Sequence, residues 1–200
     1  MFLSQLVLNP KSRQARRDLS DRHDLHRTIM RAYPETMPAN ERVLYRVEEE
    51  TSEPIVLIQS RIEPDWEQVP RLQNNYLRMP PRVRAATPHL IPDLQTRFRL
   101  QANPTVKRDG KRHAIYPEPD LMAWLERKGQ QHGFVVDQSF LHINKLGKRY
   151  GKKRKRQWHA VQFDGVLTIV DVARFGDTLH QGIGSAKAFG FGLLSIPHAT

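Results

Sequence analysis

His23 and His26 stand three residues apart in the stretch DRHDLHRTIMRAY, Asp21–Tyr33, with Arg22, Arg27 and Arg31 around them. Imidazole has an unperturbed pKa of about 6.5, so near neutral pH either ring can give or take a proton. Three chemistries use such a pair. The rings can form a pH-sensitive surface feature, half of a metal site completed by Asp18, Asp21 or Asp24, or the acid and base of an enzyme working on a phosphate. The surrounding arginines repel a metal cation and suit an anion, and the chain has no cysteine to add a thiolate ligand.

Such a pair needs a rigid element to hold it. Leu25, Ile29 and Ala32 recur at i, i+4 and i+7 and predict a helix, with Ser20 or Asp21 as its N-cap and Pro34 as its end. At about 100° per residue, His26 lies about 100° from Leu25, His23 about 160° and Arg27 about 200°. Both imidazoles and Arg27 therefore share the outward face. They sit in the first turns, where free N–H groups and the helix dipole favour a phosphate and hold a histidine's pKa down.

The whole chain agrees with an anionic partner. Its 200 residues carry 32 Lys+Arg against 21 Asp+Glu, a net charge of +11. Such an excess suits a polyanion, because each neutralised phosphate releases counterions. Nucleic acid is the first expectation; an anionic membrane surface is the second, but no basic helix carries a broad apolar face. Zero cysteines exclude disulfides and thiol nucleophiles and fit a reducing cytoplasm. MFLSQLVLNP lacks a basic leader and stops at Asn9-Pro10, so it reads as a strand and not a signal peptide. No apolar run approaches the roughly 20 residues of a transmembrane helix, so a soluble protein is expected.

The remaining elements follow from periodicity. Phe2–Leu8 is a strand, and the basic segment KSRQARRDLSD reads as a connection to the histidine helix. Arg42–Glu48 and Ile55–Ile62 are strands, a Pro-rich stretch from Pro64 to Pro92 has room for a short helix at Trp66–Leu77, and Thr96–Ala102 is a strand. The order is βαββαβ, the ferredoxin-like arrangement. Asn103–Gly110 reads as a boundary, after which a similar order recurs. It comprises a strand at Arg112–Tyr116, a helix from Pro119 to Gly133, a strand at Phe134–Asn144, a hairpin turning at Asp164-Gly165, a helix at Val172–His180 and a strand at Phe191–Ile196. The predicted class is α+β, with two tandem ferredoxin-like (RRM-like) domains at 1–103 and 111–200.

Two further features bear on chemistry. KLGKRYGKKRKR, Lys145–Arg156, has eight basic residues and no acid in twelve positions. Flanked by strands, it is expected to protrude as a basic hairpin or loop that contacts nucleic acid, with Tyr150 and Trp158 as stacking surfaces. GIGSAKAFGFGLL places Gly182, Gly184, Gly190 and Gly192 around Lys187, a composition that lets a backbone approach a phosphate. It is not a Walker loop, since GxxxxGK[ST] is absent. Tight turns between a helix and a strand explain the same glycines.

The ending GIGSAKAFGFGLL, the opening FLSQLVLNP with SRQARRD, and HxxHR on the first helix together resemble the CasE family of CRISPR-associated RNA endonucleases. The resemblance spans nearly the whole chain. It implies two ferredoxin-like domains of the RAMP type, recognition of the stem-loop of a CRISPR repeat transcript, and association with the other subunits of Cascade. It also implies cleavage without a metal or other cofactor, by attack of the 2′-OH, giving a 2′,3′-cyclic phosphate or 3′-phosphate and a 5′-hydroxyl. The family's catalytic histidine falls on His26. Some members carry tyrosine three positions earlier, where this chain has His23, and Arg27 stands as a ligand for the reacting phosphate. Expected RNA contacts are Arg13, Arg16, Arg17, Arg31, Lys148, Arg149, Lys152, Lys153, Arg154, Lys155, Arg156, Gly182, Gly184 and Lys187.

Two other functions fit part of this pattern. A non-catalytic RNA-binding subunit would use the same basic surface without the chemistry. A metal-dependent DNA nuclease would need a carboxylate cluster for two Mg²⁺ ions, and the sequence shows none.

Overall fold

The structure is a computed structural model that describes residues 1–49, 52–151 and 155–197. The chain divides into two compact units. The first holds Met1–Thr87, Arg149–Gln157 and Ala188–Gly190; the second holds the remainder.

In the first unit, β1 (Phe2–Val7) is followed by α1 (Arg13–Ser20), α2 (Arg22–Met30), β2 (Leu44–Glu48), β3 (Ile55–Ser60) and β4 (Arg82–Ala85). The sheet order is β2-β3-β1-β4 with every neighbour antiparallel. That is the ferredoxin-like order, with the second helix reduced to one 3₁₀ turn, Pro70–Gln73. Its core joins Leu25, Ile29 and Ala32 from the histidine helix and its exit to Leu6, Leu8, Tyr45, Val56, Ile58, Trp66 and Tyr76. Burial of that stripe, at roughly 1.5–3 kcal/mol per large apolar side chain, fixes which face of α2 points inward.

In the second unit, β5 (Gln95–Ala102) precedes a hairpin of β6 (Thr105–Arg108) and β7 (Lys111–Ala114). Then come α3 (Glu118–His132), β8 (Phe134–Gly151), β9 (Arg156–Ile169), α4 (Val172–Gln181) and β10 (Leu194–Ser195). The order β10-β5-β9-β8 repeats that of the first sheet. Phe98, Leu100, Trp124, Phe134, Phe163, Phe175 and Leu179 fill this core. The α+β class and the tandem ferredoxin-like architecture therefore stand.

Several sequence expectations are corrected. The basic connection SRQARRD is itself a helix, α1, because Ser12 accepts from the Ala15 N–H and starts a turn before the charges begin. Asp21 then ends α1 and caps α2, accepting from the His23 N–H at 3.0 Å. Trp66–Leu77 forms no α-helix: beyond the 3₁₀ turn Asn75 takes a left-handed φ of 55°. Arg82–Ala85 is a strand that periodicity did not reveal, since all four residues are exposed on a charged sheet edge. The strand expected to close the first unit, Thr96–Ala102, lies in the second sheet, paired with β9 and β10. Asn103–Gly110, read as a boundary, begins the small hairpin, with Asp109 and Gly110 at φ 49° and 74° making its turn. Asp164-Gly165 is no turn: β9 runs through it unbroken, with Asp164 opposite Arg99 and Gly165 opposite Phe98. The Arg99 Nε donates to Asp164 Oδ1 at 2.6 Å and holds that position in register. Phe191–Ile196 shortens to a two-residue strand.

Candidate active site

The site builds outward from α2. Its pitch is set by a buried carboxylate that the sequence offers only as a metal ligand. Asp18 of α1 accepts from the Thr28 hydroxyl of α2 at 2.6 Å, the Tyr76 hydroxyl at 3.0 Å and the Gln14 amide at 2.8 Å, with the Arg71 guanidinium at 3.5 Å. A fully buried carboxylate needs such partners, and these ones lock the two helices together.

With α2 fixed, His26 is half-buried and His23 lies within electrostatic reach. The His26 ring lies nearly parallel to Tyr45, centroids 6.4 Å apart and planes 14° apart, and tilted against Phe189 at 6.4 Å. Its Nδ1 is buried and finds no hydrogen-bond partner among the described residues. Protonating this ring would leave an uncompensated N–H in an aromatic pocket. Burial, and secondarily the neighbouring His23, accordingly hold the His26 pKa below that of ordinary histidine. The cause is desolvation more than the helix dipole, because the Asp21 side chain already takes up the His23 N–H.

Tyr45 is the wall behind the imidazole. Its hydroxyl lies 3.2 Å from both the Arg22 and the Ala188 carbonyl oxygens, so it ties α2 to the end of the glycine-rich run. Gly190 makes this packing possible: it has a φ of +86°, and a Cβ there would meet the Tyr45 ring at 2.9 Å. Arg22, almost fully buried on α2, pairs with Glu49, whose other oxygen receives Arg149 at 2.9 Å. Arg22 Nη1 is buried without a partner among the described residues. Burial lowers the Arg22 pKa, with Glu49 acting against it. Tyr45, Glu49, Arg22 and Phe189 all escaped the sequence reading. Each looks locally like a strand, loop or helix residue; the long-range fold brings Tyr45 and Phe189 to His26, and Glu49 to Arg22, which precedes His26 by one helical turn on α2.

The residues expected in the chemistry are not all equally placed. His23 and His26 do come together. Arg27 is exposed and paired with Asp24, which also draws Arg17 to 3.5 Å, so it lies outside the aromatic wall. The described residues hold no group of three or more His, Asp or Glu placed to share a cation.

A family model described as CRISPR associated protein matches residues 1–197. The CRISPR-associated endoribonuclease Cse3 of Thermus thermophilus is 38% identical over 216 aligned residues, covering 98% of this chain and 99% of that protein. The chain belongs to the CRISPR-associated Cse3/CasE endoribonuclease family. The Escherichia coli Cascade subunit CasE is 37% identical over 116 aligned residues, half of this chain and 56% of that protein. Among solved structures, Thermus thermophilus Cse3 bound to an RNA representing a pre-cleavage complex superposes with a TM-score of 0.87 at 36% identity, covering 98% of each chain. Escherichia coli Cas6e gives 0.74 at 25% identity over the full length of both.

The cationic positions expected from the family resemblance are distributed over both units. Arg13, Arg16, Arg17 and Arg31 are exposed on or beside the two helices. Lys148 and Arg149 lie in β8, and Lys155 and Arg156 stand exposed at the start of β9, so the basic run is strand on both sides. Lys152, Lys153 and Arg154 lie outside the described residues. Gly182, Gly184 and Lys187 line a polar cavity of the second unit, with Arg112, Lys128 and His132. Among the described residues no helix is long and apolar enough to cross a membrane.

Proposed function

We propose that this chain is a cytoplasmic endoribonuclease that cleaves CRISPR repeat transcripts at the base of their hairpin and remains bound to the guide RNA within Cascade. The observation that carries the chemistry is the His26 imidazole, held neutral against Tyr45 with His23 beside it. A neutral ring accepts the proton of the 2′-OH next to the scissile phosphate. The 2′-oxygen attacks phosphorus, and the 5′-oxygen leaves with a proton delivered by His23. The products are a 2′,3′-cyclic phosphate, open to hydrolysis to a 3′-phosphate, and a 5′-hydroxyl. No metal takes part in this scheme, because the two imidazoles cover both proton transfers and cations offset the phosphorane charge.

The substrate itself tunes the base. An RNA phosphate brought near His26 offsets the desolvation that lowers its pKa, moving it back toward the working pH. Arg27, shared with Asp24, contacts the phosphate without moving protons. The exposed arginines of α1, Arg31 and the basic run of β8 and β9 grip the stem through its backbone, which positions the RNA without reading bases. Glu49 holds both Arg22 under the histidine helix and Arg149 of the basic run, and so links grip to chemistry inside the first unit.

The test is a repeat hairpin with 2′-deoxyribose at the scissile position. Cleavage should vanish while binding and EDTA insensitivity of the unmodified substrate persist. Cleavage of the deoxy substrate, or abolition of activity by EDTA, would refute 2′-OH attack without a metal. Unaltered binding with no cleavage of any substrate would instead favour a non-catalytic subunit.

A further inference from the structure

The second unit contains a cavity of about 320 Å³ into which Arg112, Lys128, His132 and Lys187 all project. They come from three separate places in the fold: the β6–β7 hairpin, the last turns of α3 and the glycine-rich run. None of the residues that line it is acidic. Like charges gathered into one concave, partly desolvated space repel one another, and an anion in the middle turns that repulsion into attraction. The size sits at the small end of ligand pockets, which run from about 300 Å³ upward.

The walls are organised before any ligand arrives. The Thr178 hydroxyl donates to the Arg174 carbonyl at 2.8 Å, so its oxygen accepts from His132 Nδ1 at 2.9 Å and fixes the ring. His132 Nε2 is then a lone pair in the neutral ring and a donor once protonated. The Asn103 amide donates to Ser185 Oγ at 3.2 Å and anchors the loop. Gly184, at φ +83°, lies on the edge of Trp124, and the next loop residue but one, Ala186, keeps a left-handed φ of 63°. A strained backbone over a cationic cavity is the arrangement of a built site and not of a slack surface loop.

We propose that this cavity is a phosphate-binding site, made wholly from the second unit, which takes one backbone phosphate of the bound RNA. The inference rests on the reading of the chain as an RNA-binding protein, but its residues are not those that perform the cleavage. It assigns Arg112, Lys128 and His132 to recognition, none of which the sequence pattern had singled out.

The experiment uses the full chain, a hairpin with 2′-deoxyribose at the scissile position, and affinity measured across salt concentrations. Arg112→Gln with Lys128→Gln should weaken binding roughly tenfold near physiological salt and flatten the log affinity against log salt slope by about 1, the change for one lost phosphate. Arg112→Gln alone, on an exposed hairpin side chain, should produce about half of that change in slope. Arg108→Gln, which removes the same charge outside the cavity, should leave the slope unchanged. Cleavage of the unmodified hairpin by the double variant at saturating RNA should match wild type, since the defect is one of binding. An unchanged slope in both variants would overturn the proposal. So would protection of the cavity by adenosine monophosphate with RNA affinity unaffected, which would assign it to a free nucleotide. Loss of slope in a chain whose wild type cleaves nothing would uphold this site while sinking the nuclease assignment.

Discussion

His26 and His132 are both half-buried histidines whose pKa values are held below the ordinary range, yet their surroundings differ in kind. Around His26 the pressure is aromatic: Tyr45 and Phe189 exclude water, and the charge pushing on the ring comes from its companion His23. Around His132 burial is joined by the two lysines, Lys128 and Lys187. The first environment keeps an imidazole neutral and ready to take a proton. The second concentrates positive charge and leaves room for an anion. On the proposed reading, the chain uses the same side chain for proton chemistry at His26 and for phosphate grip at His132.

That contrast can be broken at its aromatic wall. Gly190→Ala drives a methyl group into the Tyr45 ring and strains a backbone at φ +86°. Because a displacement of about 1 Å can cost a catalyst up to roughly 100-fold, single-turnover cleavage should slow by about 10- to 100-fold while hairpin affinity holds. If Gly190→Ala weakened binding and left the saturated cleavage rate intact, the wall would belong to the grip and the division would fail.

A smaller effect sharpens the comparison through pH. His26, His132 and His159 all have lowered pKa values in the folded chain. Unfolded histidines titrate at about 6.5, so below that pH the unfolded state binds more protons and stability must fall. The melting temperature of the RNA-free protein should therefore decline as pH is lowered from about 7.5 to about 5.5, flattening once the folded rings also protonate. His26→Asn and His132→Asn should each remove part of the slope. A melting temperature that does not change over this range would contradict the buried, neutral state of both rings.

Much of the fold was legible in local patterns. The stripe Leu25, Ile29, Ala32 buried as its spacing predicts, and the helix from Glu118 to the left-handed Gly133 follows its cap signals. Two Asp-Gly pairs show where local reading stops. Asp109-Gly110 turns a hairpin between exposed ends, whereas Asp164-Gly165 is held straight by β5 and the Arg99 pair, partners some 65 residues away in sequence. The dipeptide is the same, and tertiary pairing decides its conformation. The site divides likewise. The histidines were visible because their spacing and neighbours are local, but Tyr45, Glu49 and the Asp18 network become functional only through the fold. The basic run is expected as a hairpin or loop between strands, and β8 and β9, neighbours in the sheet, extend into it from both sides because its charges mask the alternation of a strand.

The most direct test compares wild type with His26→Ala on one repeat hairpin, measuring single-turnover cleavage and equilibrium binding side by side. Loss of proton transfer at this position should slow cleavage by roughly 10²- to 10⁴-fold with hairpin affinity essentially unchanged. Intact binding with undiminished cleavage would show that His26 is not the base, and the contrast drawn between His26 and His132 would have to be abandoned.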